Sequence, residues 1–121
     1  MAYRPSDNGA SLVAWFRMGI GVTVTGAGVS TWADQSGALH DLLQGTDTNR
    51  PAYDSGTGII TFAVDNYLKC SACVLAQPHS VAVLLNPITI PSSSYFLDGN
   101  TLDKGGLYNS SGTKMTMYSG S

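Results

Sequence analysis

The stretch Val22-Thr23-Val24-Thr25-Gly26-Ala27-Gly28-Val29-Ser30-Thr31-Trp32 decides the fold class of this chain. Its first four residues alternate between apolar and polar side chains, which is the period of a β-strand. Gly26-Ala27-Gly28 then interrupts the pattern before the β-branched residues resume. The stretch therefore predicts a short β-hairpin.

Strand-like segments recur on both sides of this hairpin. Residues 10–17 alternate with period two, and residues 59–64 form an apolar run that ends in a turn at Asp65-Asn66. Residues 81–85 are apolar on both faces, so we expect a buried central strand there, with Val81, Val83, Leu85 and Phe62 packed beside Trp15 or Trp32. Residues 33–58 predict irregular loops with one short strand at residues 40–44, and further strands are predicted at residues 94–97, 106–109 and 114–118.

Composition supports an all-β protein with one domain over residues 1–121. The chain has 43% hydrophobic and 12% charged residues, which excludes a disordered composition. It contains 14 glycines and no glutamate, so strong helix formers are scarce. The net charge of −2 offers no basic stripe for nucleic acid, and no apolar run is long enough for membrane insertion. The N-terminal residues lack the apolar segment of a signal peptide.

Several motifs occur in an order that resembles the concanavalin A-like lectin/glucanase (laminin G-like) jelly roll, as found in bacteriophage virion proteins and large bacterial surface proteins. The similarity covers most of residues 10–99. It is carried by Leu12-Val-Ala-Trp-Phe16, Val29-Ser-Thr-Trp-Ala-Asp-Gln-Ser-Gly37, Asp41-Leu42, Asn49-Arg-Pro51, Phe62, Asp65-Asn-Tyr-Leu68, Leu75-Ala-Gln-Pro78, Ser80-Val-Ala-Val-Leu84 and Phe96-Leu-Asp-Gly99.

This resemblance implies an antiparallel β-sandwich of which residues 1–121 are the N-terminal part. Similar domains close their two sheets with more strands than this chain supplies up to Tyr118. Exposed strand edges are normally paired or covered. We therefore expect neighbouring sequence or neighbouring chains to complete the fold, and we expect the chain to associate rather than act as a free monomer.

The sequence assigns no catalytic residue. Glycoside hydrolysis, the activity that the resemblance suggests, needs two carboxyl groups across the scissile bond. Similar glucanases carry a Glu-x-Asp-x-x-Glu strand, whereas this chain has no glutamate and no Gly-x-Ser-x-Gly motif. We therefore expect a protein that is not an enzyme.

The aspartates are interpreted as turn residues rather than metal ligands. In Asp34-Gln-Ser36-Gly37, we expect Asp34 and Ser36 to accept backbone N–H bonds and Gly37 to adopt a positive φ. Calcium is the alternative, with Asp34, Asp65, Asp98 and Asp103 as its candidate ligands. No cofactor and no metal site are assigned.

Cys70 and Cys73 leave three alternatives open. With His40 and His79 they reach the four ligands of a zinc site, and their C-x-x-C spacing also allows a local disulfide. The histidines are far apart in sequence and only half of a zinc-finger pattern exists, so free thiols in a reducing compartment are expected.

Trp15 and Trp32 are candidate sugar-stacking platforms, but core packing is the favoured interpretation, and ligand-binding residues stay unknown. A fold usually found outside cells, without an export signal, fits a phage particle assembled in the host cytoplasm. The expected function is a virion structural protein, either a capsid decoration or head fibre or a tail-fibre or baseplate adhesin. It would contact other virion proteins, copies of itself or host-surface glycans. The alternative is a carbohydrate-binding module or a fragment of a bacterial surface protein or glycan hydrolase.

Overall fold

The computed structural model describes residues 5, 7, 11–70, 72–74, 80–83, 94–98, 106–109 and 115–118. In these residues it defines β-strands and short 3-10 turns and no α-helix. The chain divides into two compact units, Met1–His79 and Ser80–Ser121. All strand pairs of the described part are antiparallel, which confirms the all-β prediction. The single jelly-roll domain stays a prediction.

The first unit contains the predicted hairpin. Strand β1 (Val22–Thr25) pairs with strand β2 (Gly28–Trp32), and Gly26 turns the chain between them at a φ of 61°. Only glycine adopts such a positive φ without a steric cost. Thr23 pairs with Thr31 and Val24 with Val29, so Ser30 is the extra residue of a β-bulge in β2.

Three further pairings occur among the described residues of the first unit. Strand β3 (Leu42–Leu43) pairs with β2, giving the sheet order β1-β2-β3. On its other side, Leu43 exchanges two backbone hydrogen bonds of 2.8 and 3.1 Å with Lys69. Strand β4 (Ala52–Asp54) and strand β5 (Ile59–Thr61) form a separate two-stranded hairpin. The short strand predicted within residues 40–44 is confirmed, whereas β4 was not expected.

The second unit contains an antiparallel meander. Strand β6 (Ser94–Asp98), strand β7 (Gly106–Asn109) and strand β8 (Met115–Tyr118) follow one another in the sheet in chain order. Turn-forming residues separate these strands in the sequence, as in Ser110-Ser111-Gly112. These strands confirm the sequence predictions to within one residue at each end.

Two strand predictions are wrong, and a third is correct only in its first three residues. The strand predicted at residues 10–17 is absent from its described part, since residues 12–17 form no strand and the backbone N–H of Trp15 bonds to a carboxylate instead of a ladder partner. The strand that begins at Ile59 ends at Thr61, three residues early. Of the buried strand predicted at residues 81–85, residues 81–83 are not in a strand, and Val81 and Val83 are each 48% exposed. Leu84 and Leu85 lie outside the described residues. The sequence pattern shows that these residues are hydrophobic. A side chain is buried, however, only where other elements pack against it, and Val81 and Val83 stay about half exposed.

Little apolar surface is fully buried in the described residues. Val29 has no exposed surface, and Pro51 is also fully buried. The two are linked because the Val29 N–H donates to the Pro51 carbonyl over 2.9 Å. A side chain at Gly28 would collide with that carbonyl, so the close approach requires glycine there. Phe62, expected in the core, is 51% exposed. Polar contacts, described below, connect the distant segments of the unit.

Candidate functional site

The Asp34 carboxylate is the centre of the densest polar cluster in the described residues. It accepts backbone N–H bonds from Trp15 at 2.8 Å, from Ser36 at 2.8 Å and from His40 at 3.2 Å. The Ser36 hydroxyl donates a further bond of 2.5 Å. Asp34 is only 9% exposed. The group therefore has the environment of a buried carboxylate with its acceptor positions occupied.

Two opposing effects set the pKa of Asp34. Burial raises the pKa, whereas the bonds from Ser36, Trp15 and His40 lower it, and the net shift is below the ordinary value of 3.8. Hydrogen bonds to the charged form favour ionisation. A general acid of glycoside hydrolysis needs the opposite shift, because it must keep a proton near neutral pH. The ionised Asp34 carboxylate is thus suited to accepting hydrogen bonds from backbone N–H groups, not to proton transfer.

The loop that follows Asp34 is bonded at both ends. The Asp41 carboxylate accepts the Asp34 N–H at 2.9 Å, and the His40 ring Nδ1 donates to the Val13 carbonyl at 2.7 Å. The Gln35 N–H donates to the Trp15 carbonyl at 2.7 Å. The loop therefore fastens the segment around Val13 and Trp15, which has no strand partner of its own.

The predicted turn chemistry of this loop is confirmed. Ser36 N–H donates to Asp34, the Ser36 hydroxyl accepts the Ala38 N–H at 3.1 Å, and Gly37 has a φ of 89°. Leu39 adds an unpredicted feature, because it has a φ of 61° and is 82% exposed. A positive φ is unusual for a branched side chain. The surrounding bonds hold Leu39 in this conformation at the loop tip.

Arg50 forms a second cluster, which sequence reasoning did not single out. Its guanidinium donates to the carbonyls of Gln44 at 3.0 Å, Gly45 at 3.0 Å and Thr25 at 2.6 Å. It also pairs with the Asp47 carboxylate at 2.6 Å, and its side chain is 12% exposed. In the sequence, the spacing Asp47-x-x-Arg50 could have indicated the ion pair between these two residues. All four acceptors belong to this chain, three in the loop at residues 44–47 and one in β1. Arg50 therefore holds this loop to the β1–β2 hairpin.

Gln44 occupies the same region and is also buried. It is 4% exposed, its side-chain amide donates to the Tyr67 carbonyl at 3.0 Å, and its side-chain oxygen accepts the Thr46 N–H at 3.0 Å. Its backbone N–H donates to the Ser30 carbonyl at 2.9 Å. Gln44 therefore links the bulge of β2 to the segment that precedes Lys69.

The tryptophans lie in packed rather than open positions. Trp15 and Trp32 are half-buried. The indole Nε1 of Trp32 donates to the carbonyls of Arg17 at 3.2 Å and Ile20 at 3.1 Å, and its ring lies 5.5 Å from that of Phe16. A side chain with a bonded polar tip and an aromatic neighbour is typical of packing.

The described candidate calcium ligands belong to separate local structures. Asp34 is occupied by backbone donors, Asp65 lies in a turn at a φ of 68°, and Asp98 lies in β6 of the second unit. Asp103 lies outside the described residues. Within the described part of the chain, no three His, Cys, Asp or Glu residues are grouped so as to hold a metal ion.

The expectation of free thiols is wrong. Cys70 and Cys73 form a disulfide with a Cα–Cα distance of 5.6 Å. Such a separation lies within the range that a disulfide spans. Oxidised sulfurs are not thiolate ligands, so zinc binding by this pair would require reduction first. His40, the zinc candidate inside the described residues, contacts Cys73 through its backbone carbonyl, at 3.8 Å from the sulfur. His79 lies outside the described residues.

Comparison with protein-family models, with curated proteins and with solved structures finds no match to this chain. In the described residues no helix has the length and apolar character to cross a membrane. The candidate function therefore depends on the chemistry of the described side chains.

Proposed function

We propose that this chain is a non-enzymatic structural protein of a bacteriophage particle, a capsid decoration or head-fibre protein or a tail-fibre or baseplate adhesin. Its strands would belong to a concanavalin A-like jelly roll that other copies or other virion proteins complete. The resemblance of residues 10–99 to virion proteins is the basis of the particle assignment. The structure supports an assembly role through its distribution of apolar surface.

The observation that carries the assembly role is the small apolar core of the first unit. Val29 and Pro51 are fully buried, whereas ten large apolar side chains between Met18 and Val74 are more than 40% exposed. Val64 at 80% and Val74 at 77% are among the most exposed. Apolar surface left in water favours association, because burying it contributes about 25 cal/mol per Å². With few charges, the chain opposes close contact between copies only weakly.

The state of the polar groups supports a non-enzymatic role. The carboxylates of Asp34 and Asp54 have pKa values lowered by hydrogen bonds, which keeps both groups ionised. The Arg50 guanidinium and the His40 Nδ1 donate to backbone carbonyls. These four described side chains are therefore committed to internal bonds rather than to substrate chemistry.

A second candidate function is glycan binding by a carbohydrate-binding module. It is favoured by one observation, the exposure of two aromatic side chains near the β4–β5 hairpin. Phe62 is 51% and Tyr67 46% exposed. Aromatic faces left in water provide flat apolar surfaces for stacking.

Mass spectrometry of purified phage particles, together with a glycan array, separates the two candidates. We expect peptides of this chain in particles, at a copy number comparable to that of other structural proteins. Absence from particles combined with binding to a defined glycan would overturn the structural role. Loss of that binding in Phe62→Ala, but not in the control Val64→Ala, would then locate the glycan surface.

A further inference from the structure

Strand β1 is the edge of the β1-β2-β3 sheet in the described part of the chain. Thr23, Val24 and Thr25 are exposed, with Val24 at 48%. The opposite edge is covered, since Leu43 exchanges two backbone hydrogen bonds with Lys69. An exposed edge presents backbone donors and acceptors to which another strand can pair. Among the described residues, no strand pairs with the outer side of β1.

The sequence of β1 lacks the features that normally block pairing at an edge. Natural edge strands carry charged residues, proline or bulges. The four residues of β1 are Val-Thr-Val-Thr, without charge or proline. The bulge of the hairpin lies at Ser30 in β2, so β1 contributes no extra residue there.

We propose that β1 pairs antiparallel with β1 of a second copy of this chain, joining the two sheets about a two-fold axis perpendicular to them. In such a pair the residues opposite one another lie on the same sheet face. Because β1 alternates strictly, valine meets valine on one face and threonine meets threonine on the other. The paired β1 strands bring no like charges together, because β1 has no charged residue. This self-complementarity selects a second copy as the occupant of the edge.

The inference deepens the proposed assembly role, and rests on it, by naming a surface through which copies associate. Val24 is the residue that tests it, because in every register of this symmetry Val24 of one copy shares a face with Val24 of the other. The two positions are then directly opposite or diagonal neighbours in the registers that pair most of the strand. The matched control is Val64, which is 80% exposed and lies outside β1.

The test is analytical ultracentrifugation of the full chain across a concentration series. We expect reversible dimers in the wild type and in Val64→Lys. Val24→Lys and Val24→Glu alone should each associate at least about tenfold more weakly, because each places like charges on neighbouring strands. An equimolar mixture of the two should recover dimers, now with opposite charges facing, which also shows that both variants fold.

The inference is overturned if the wild type stays monomeric, if Val24→Lys associates like the wild type, or if the mixture fails to recover dimers while both variants keep the wild-type melting curve. Its failure is distinct from that of the proposed function. Particles that lack the chain would overturn the virion role while the edge pairing stands. Particles that contain Val24→Lys and wild type equally well, with unchanged dimerisation of both, would overturn the edge pairing alone.

Discussion

Two aspartate turns in the first unit, at Asp34 and Asp54, have similar local hydrogen bonds but differ in how far along the sequence their partners lie. Asp34 accepts the backbone N–H two residues ahead at 2.8 Å and the Ser36 hydroxyl at 2.5 Å. Asp54 accepts the backbone N–H two residues ahead at 2.9 Å and the Thr57 hydroxyl at 2.8 Å. Hydrogen bonds lower the pKa of both groups. Local turn chemistry is therefore nearly the same at the two sites.

The difference lies in burial and in distant partners. Asp34 is buried and also holds the backbone of Trp15, which is 19 residues away. Asp54 is exposed, and within the described part of the chain its carboxylate accepts hydrogen bonds from Gly56 and Thr57, at most three residues away. A bond between distant segments is lost only with the fold, whereas a local turn persists in part in the unfolded chain. We therefore expect the first turn to determine stability and the second to have little effect.

Removing the Asp34 carboxylate should have the largest effect. Asp34→Ala leaves three backbone donors and one hydroxyl without their acceptor in a buried position, which costs about 3 kcal/mol or more. Urea denaturation followed by circular dichroism measures the loss. Asp54→Ala is the matched control. Equal losses of unfolding free energy in the two variants would show that burial and long-range hydrogen bonds do not make Asp34 more important for stability than Asp54.

Arg50 tests whether a second long-range anchor behaves like Asp34. Arg50→Lys keeps the charge but replaces a planar fork by a single ammonium, which cannot satisfy all four acceptors. We expect a loss of about 2 kcal/mol in the free energy of unfolding. The exposed Arg17 provides the control, since Arg17→Lys should change little. A similar loss in both variants would contradict the anchoring role.

Ser36 isolates one bond of the Asp34 cluster. Ser36→Ala removes the hydroxyl donor to the carboxylate and the acceptor of the Ala38 N–H, with an expected loss of about 1 kcal/mol. Ser55→Ala, at the exposed neighbour of Asp54, is the control. Stability unchanged by Ser36→Ala would mean that the backbone donors alone hold the loop.

The smallest effect is expected at the exposed turn. Asp54→Asn keeps an acceptor for the Gly56 N–H and should leave the urea midpoint unchanged within error. Amide NMR shifts should change only around Gly56 and Thr57. A loss as large as that of Ser36→Ala would place Asp54 among the stabilising anchors and remove the contrast.

Local patterns were sufficient for the elements that depend on neighbours in sequence. The alternation before Gly26 predicted the β1–β2 hairpin, and Asp34 with Ser36 and Gly37 predicted the turn. Residues 81–83 were wrongly predicted to lie in a buried strand because the pattern reports hydrophobicity, while the exposure of Val83 depends on which elements pack against it. Turn chemistry and alternation depend on a few neighbouring residues, so both can be predicted from the sequence.

Contacts between residues that are distant in sequence could not be predicted from the sequence. The bonds of Trp15 to Asp34 and of Arg50 to Thr25 join segments 19 and 25 residues apart. The disulfide was one of three alternatives and not the expected one, because C-x-x-C spacing is compatible with a disulfide, a metal site or free thiols and does not choose between them. The long-range polar anchors of the first unit therefore became evident only from the structure.

The most direct test of the anchoring role is the pH dependence of unfolding in the wild type and in Asp34→Asn. The folded pKa of Asp34 lies below its ordinary value of 3.8, so its contribution is present above that value and is lost as the pH falls through the folded pKa. Other carboxylates titrate in both proteins, so the difference isolates Asp34. We predict that the wild-type advantage is largest near pH 7 and shrinks steadily in acid below about pH 5. A constant difference, or none, would contradict the claim that the ionised Asp34 carboxylate holds the first unit together.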